Sequence, residues 1–119
     1  MDFRKELNLA HEPLDRGDAN ADEISYPALV KALKEGAVAL VDVREPNEYE
    51  AGHVEGAILH PLSRFDPAEL PRSLPIVLIC RSGNRSMTAL TRARAAGFTD
   101  IWHYKGGAIG WVREGGELV

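Results

Sequence analysis

A single cysteine, Cys80, stands among 119 residues, which rules out an intramolecular disulfide and the disulfide-stapled class of small secreted domains. Long apolar runs are lacking as well. No stretch approaches the roughly 20 residues that a membrane-spanning helix needs, and residues 1 to 10 alternate charged and apolar side chains where a secretory signal would be continuously apolar. The expectation is a cytoplasmic protein that does not engage membranes. A basic excess is equally absent: 14 Lys and Arg face 18 Asp and Glu, a formal charge of −4, whereas nucleic-acid binders normally concentrate basic residues on one face. Nucleic acid is therefore not expected as a partner. The four histidines, His11, His53, His60 and His103, show no ligand spacing. With one cysteine there is no Cys/His cluster, so no metal and no cofactor are expected.

What is present fits one compact domain, with 45% hydrophobic and 27% charged residues. The charge is uneven. Residues 1 to 22 hold six acids against three bases, and the rest of the chain is nearly balanced at 12 acids against 11 bases. The polar run up to Asp22 reads as a flexible or loosely docked extension, residues 1–22, with a short helix over residues 2 to 10 as an alternative. The domain proper is expected over 23–119.

Within it, Ser25 is suited to cap a helix that has Pro27 in its first turn and an apolar stripe of Leu29, Val30 and Leu33, ending at Gly36. Val38 to Val43 reads as a buried parallel strand. Pro46 breaks the chain, and Asn47 can cap a short helix through Tyr49. A short strand is expected over Ala57 to His60, then a connecting region from Pro61 to Pro75. Ile76 to Ile79 is the clearest buried strand. Ser86 to Ala96 reads as a helix stopped by Gly97, Ile101 to Tyr104 as a last strand, and Gly106-Gly107 as the lead into a short helix carrying Trp111. Strands alternating with helices imply parallel strands joined by crossovers, an α/β layered fold.

The chemistry concentrates in Cys80-Arg81-Ser82-Gly83-Asn84-Arg85-Ser86, which joins a buried strand to a helix. Ligand sites in open α/β sheets lie beyond the carboxyl ends of the strands. Gly83 and Asn84 tolerate left-handed backbone angles, so the segment can curl with its N–H groups inward. The helix that follows aims its positive end into the same space, and Arg81 and Arg85 add two fixed charges. Such a cradle binds an anion and favours a thiolate over a thiol. A lone cysteine after four apolar residues is commonly just a small core residue, but an inert core site has no use for two arginines and a helix N-terminus.

From Glu23 to Gly116 the sequence resembles the rhodanese family. The resemblance is carried, in order, by Leu40-Val41-Asp42-Val43-Arg44-Glu45-Pro46 with Glu48-Tyr49, by Gly52-His53-Val54-Glu55-Gly56-Ala57, by Pro61-Leu62, by Cys80 to Ser86, and by Tyr104-Lys105-Gly106-Gly107 with Trp111. It implies a three-layer α/β/α fold around a central parallel sheet of about five strands. It also implies sulfurtransferase activity, with Cys80 as catalytic nucleophile. On that reading Arg81, Ser82, Gly83, Asn84, Arg85 and Ser86 bind the substrate, a small anionic donor such as thiosulfate, and Cys80 carries the sulfur as a persulfide to cyanide, a small thiol or a protein cysteine. Arg81 and Arg85 are suited to steering the donor, although each could instead pair with a carboxylate.

Two other functions use the same residues. A persulfide carrier would act mainly by docking to a partner protein. A phosphatase of the same fold would use a Cys-x5-Arg loop, but here the arginine follows four intervening residues and Ser86 occupies the next position, a tighter cradle suited to one sulfur. Outside the loop, His53 is expected to fix its turn by a hydrogen bond. Asp42 and Arg44 are expected to form a structural pair or turn contact, and Trp102 and Trp111 to pack rather than to cage a ligand.

Overall fold

The computed structural model describes residues 13 to 119; the alternative helix over residues 2 to 10 lies outside the described residues. Four strands form one all-parallel sheet in the order β2-β1-β3-β4. They are β1 (Ala39–Asp42), β2 (Ile58–Leu59), β3 (Ile76–Ile79) and β4 (Ile101–His103). The α-helices are α1 (Tyr26–Lys34), α2 (Pro46–Ala51), α3 (Asn84–Ala95) and α4 (Gly107–Arg113), with two 3₁₀ turns, Leu62–Arg64 and Pro67–Glu69, in the long connection before β3.

The two-residue period of a strand divides the interior into two cores. Leu40, Val77 and Ile79 face α1 and join Leu29, Ala32, Tyr104 and Trp111. Val41, Val43, Ile76, Leu78 and Cys80 face the other way and join Ala89, Leu90 and Ala93 of α3. Both faces of the sheet are thus covered, which accounts for the uninterrupted apolar run of β3 and confirms the α/β/α layering. Cys80 continues the alternation of Ile76 and Leu78, so its side chain is directed to the α3 side. The small residues Ser86, Ala89 and Ala93 are buried along that helix and allow it to lie close over the strand end.

The expected sheet of about five strands is corrected to four. Among the described residues a fifth strand is reduced to one parallel bridge between Glu23 and His103. It goes no further because Ser25 already caps α1, its hydroxyl accepting from Ala28 N at 3.3 Å, and the chain leaves the extended form there. Two helix starts also differ from expectation. Helix α2 begins at Pro46, with Glu45 as its cap and Glu48 closing a capping box, not with a cap at Asn47. Helix α3 begins two residues before Ser86, so Asn84 and Arg85 belong to its first turn.

Residues 13 to 22 lie against the domain. Leu14 packs on the α1-side core, Arg16 sits over the Trp102 ring at 5.0 Å and donates to Glu23 O at 3.0 Å, and Asp22 pairs with Arg94. At the end of β1 the pair expected between Asp42 and Arg44 forms, 2.7 Å apart and almost completely buried. Arg44 also donates to Gly52 O at 2.8 Å, fastening the turn that follows α2. Replacing Arg44 with Met would strand the buried Asp42 carboxylate. The expected cost is about 3–5 kcal/mol of unfolding free energy, read by urea denaturation at pH 7, and a loss below about 1 kcal/mol would show that the pair does not hold this corner.

Candidate active site

Strand β1 leads out to β2 on one side, and β3 leads out to β4 on the other. The order of the sheet therefore reverses between β1 and β3, and open parallel sheets bind ligands in the crevice that such a reversal creates. Cys80, the first residue beyond β3, sits in that crevice.

The backbone turns around the sulfur. Gly83 has φ 103°, a left-handed conformation that costs a side-chain-bearing residue about 1–2 kcal/mol. Any Cβ there would also lie 2.5 Å from Lys105 O. Asn84, expected to share this conformational role, is instead helical and exposed. Gly83 N donates to Cys80 Sγ at 3.1 Å. As the residue preceding α3, Gly83 offers no side-chain cap, so the sulfur takes the place that a capping oxygen would hold. The loop is clamped from outside by α4: Ala108 N donates to Cys80 O at 2.8 Å and Ile109 N to Arg81 O at 3.1 Å. Gly107, at φ 66°, makes this approach possible, because a Cβ there would collide with the Arg81 carbonyl.

Cys80 is 1% exposed, and burial alone would push its pKa up. The Ser86 hydroxyl, together with the N–H groups of Ser86, Gly83 and Ser82, outweighs burial and holds it below the ordinary thiol value. Hydrogen bonds to a charged acceptor are worth about 1.5–3 kcal/mol each, so several together can exceed the few kcal/mol of desolvation that a relaxed protein site imposes.

The expected site residues fall into three groups. Ser82, Gly83 and Ser86 surround the sulfur. Ser86 is fully buried; its Oγ lies 3.5 Å from Cys80 Sγ and 3.2 Å from Gly83 O, so it touches the sulfur and not the solvent. Arg81 and Asn84 are exposed on the rim. Arg85, expected to share with Arg81 the steering of the donor, grips Glu48 of α2 through two bonds of 2.7 and 3.0 Å. Its charge reaches the loop as half of an ion pair. His103, which the spacing of histidines did not single out, joins the site: its Nδ1 lies 2.8 Å from Ser86 Oγ, with both residues buried. A cleft of about 230 Å³ opens beside the loop, bordered by Ser82, Gly83, Asn84, Met87, His103 and Lys105. His53 stays outside the site. It hydrogen-bonds Tyr49 O at 2.9 Å and stacks on the Tyr49 ring, which fixes the turn as expected.

The Rhodanese-like domain family model matches residues 25–114, and the chain belongs to that family. Among individual relatives, a sulfurtransferase of Allochromatium vinosum is 33% identical over 82% of this chain and 94% of its own length. An uncharacterised protein of Synechocystis sp. is 42% identical over 77% of this chain, which spans 52% of that relative's length. A crystal structure of a rhodanese-related protein from Thermoplasma volcanium superposes with a TM-score of 0.74 at 32% identity, covering 82% of this chain and 97% of that one. No helix among the described residues is long and apolar enough to cross a membrane.

The Arg85–Glu48 pair leaves a measurable trace. Arg85 first, through its hydrogen bonds and charge, holds the Glu48 carboxyl at about 2, below the ordinary 4.5. A pKa depressed in the folded state adds stability that is complete above the unfolded value and is lost as pH falls through the folded one. Both side chains are partly exposed, so solvent screening reduces the contribution to about 1 kcal/mol. Glu48→Gln is expected to destabilise the protein by that amount at pH 7 and progressively less as pH falls from 4.5 to about 2. A urea-denaturation difference that does not change with pH would count against the pair.

Proposed function

We propose that the protein is a thiosulfate sulfurtransferase that carries sulfane sulfur on Cys80. The observation that carries this reading is a buried sulfur ringed by donors whose combined effect overcomes burial and favours the anion. The Cys80 thiolate attacks the outer sulfur of thiosulfate. A new S–S bond forms, the original one breaks, and sulfite departs with its electron pair. The resulting Cys80 persulfide holds its charge on the terminal sulfur, facing the N–H groups that favoured the thiolate. An acceptor nucleophile, cyanide in an assay and a small thiol or a protein cysteine in a cell, then takes the outer sulfur and regenerates the thiolate.

Arg81 and Asn84 on the rim are suited to receive the oxyanion end of the donor, while Ser82, Gly83 and Ser86 serve the sulfur itself. In this scheme Arg85 acts through the field of its pair with Glu48, which also weighs against the phosphatase alternative, since a phosphatase needs its loop arginine free to bracket the phosphate. A working thiolate with no disulfide partner suits a reducing compartment, in keeping with a cytoplasmic location. Substrates and products are small or thiol-bearing, and neither metal nor cofactor enters the cycle.

Intact mass spectrometry after brief incubation with thiosulfate tests the reading. The wild-type protein is expected to gain the mass of one sulfur atom and to lose it on addition of cyanide, while Cys80→Ser gains nothing. Absence of the adduct, or its appearance on the serine variant, would overturn the assignment. Turnover that is fast with small acceptors would mark an enzyme; turnover that is fast only with one protein acceptor would mark a carrier.

A further inference from the structure

Ser86 has one hydroxyl proton and three neighbours that compete for it. Its Oγ is 3.2 Å from Gly83 O, 3.5 Å from Cys80 Sγ and 2.8 Å from His103 Nδ1. The shortest of these contacts decides the other two, because a neutral imidazole carries its proton on one nitrogen or the other. If Nδ1 is bare, it accepts the Ser86 proton, and the hydroxyl turns lone pairs toward the sulfur. If Nδ1 carries the proton, it donates to Oγ, and the hydroxyl proton is free for the sulfur. Once the sulfur is charged it competes better for that proton than the neutral Gly83 carbonyl.

We propose that His103 is a positioning residue for the sulfur chemistry, its Nδ1–H donating to Ser86 Oγ and so turning the Ser86 hydroxyl onto Cys80 Sγ. This rests on Cys80 being the sulfur-carrying nucleophile. The fold fixes the His103 backbone between β3 and the segment before α1. His103 N donates to Asp22 O at 2.9 Å and His103 O accepts from Ile24 N at 3.2 Å, so the segment leading into α1 grips the end of β4 as a one-bridge strand. His103 shares the face of Ile101, two residues earlier, which is directed at α3. The ring borders the cleft beside the loop. The charged groups around it are Glu23 and Asp22 on the gripping segment, Lys105 just past β4, and Arg94 on α3. Burial, with Lys105 and Arg94, holds the pKa of His103 down against the upward pull of Glu23 and Asp22, so the neutral ring and its tautomer are what matter near pH 7.

Two readouts test this, and neither depends on sulfur transfer. In ¹⁵N-histidine NMR of the full chain, with His103 assigned by the signal lost in His103→Asn, the expected state is Nδ1 protonated and Nε2 bare. The opposite tautomer would overturn the proposal in the wild-type protein, whatever the variants do. The pH profile of Cys80 alkylation supplies the second. His103→Leu and Ser86→Ala are each expected to raise the Cys80 pKa by about one unit, close to a tenfold loss of thiolate at a fixed pH below it. The double variant should rise no further than either single one, and His103→Asn, whose amide can also donate to Ser86 Oγ, should recover most of the shift. A folded His103→Leu with the wild-type profile, or additive shifts in the double variant, would reduce His103 to packing. Failure to form a persulfide would leave both readouts unchanged, so the two ideas fail separately.

Discussion

A sulfur atom almost wholly removed from water at the end of a central strand holds negative charge only if the protein replaces the lost solvation with fixed donors. That requirement organises the region around Cys80. The strand alternation that packs Ile76 and Leu78 against α3 also sends the Cys80 side chain beneath the first turn of that helix. The helix begins without a side-chain cap, which leaves its N–H groups for the sulfur. Gly83 supplies the left-handed turn that brings its own N–H to 3.1 Å, and Gly107 admits α4 closely enough to hold the loop from behind.

The charges nearby are arranged to leave this balance to the Ser86 hydroxyl and the loop N–H groups. Glu48 occupies the guanidinium of Arg85, and Asp42 occupies that of Arg44. Each pair ties together elements that end near the crevice: α2 to the start of α3 in one case, the end of β1 to the turn after α2 in the other. In the proposed cycle, fixed dipoles would need no rearrangement as charge passed from the thiolate to the outer sulfur of a persulfide, whereas a mobile cation would have to follow it.

Much of this was legible in the chain because the relevant signals are local. The run Ile76 to Ile79, bounded by Pro75 and followed by a cysteine, arginines and glycine, defines a buried strand leading into an anion loop. Gly97 and Gly106-Gly107 mark where the neighbouring helices stop and start. The start of α3 was less legible because Asn84 and Arg85 are polar and resemble loop residues, and the groups that bond the sulfur, Gly83 and Ser86, lie on either side of them. Asn47 is a residue type that can cap α2, but the cap is Glu45, which Glu48 joins in a capping box. The partnership of Arg85 with Glu48 spans 37 positions and has no local signature. His103 had no motif to flag it either. The two-residue period from Ile101 would have put it on the face toward α3, but its meeting with Ser86 depends on how closely that helix approaches the sheet.

The most direct measurement of the central claim is an ultraviolet titration of the Cys80 thiolate in the native protein and again in concentrated urea, with Cys80→Ala subtracted in each case to remove the three tyrosines. If the donors outweigh burial, the native midpoint lies below the unfolded one. A native midpoint above the unfolded one would mean that burial dominates, making Cys80 a core residue and contradicting the claim that the surrounding donors favour its thiolate.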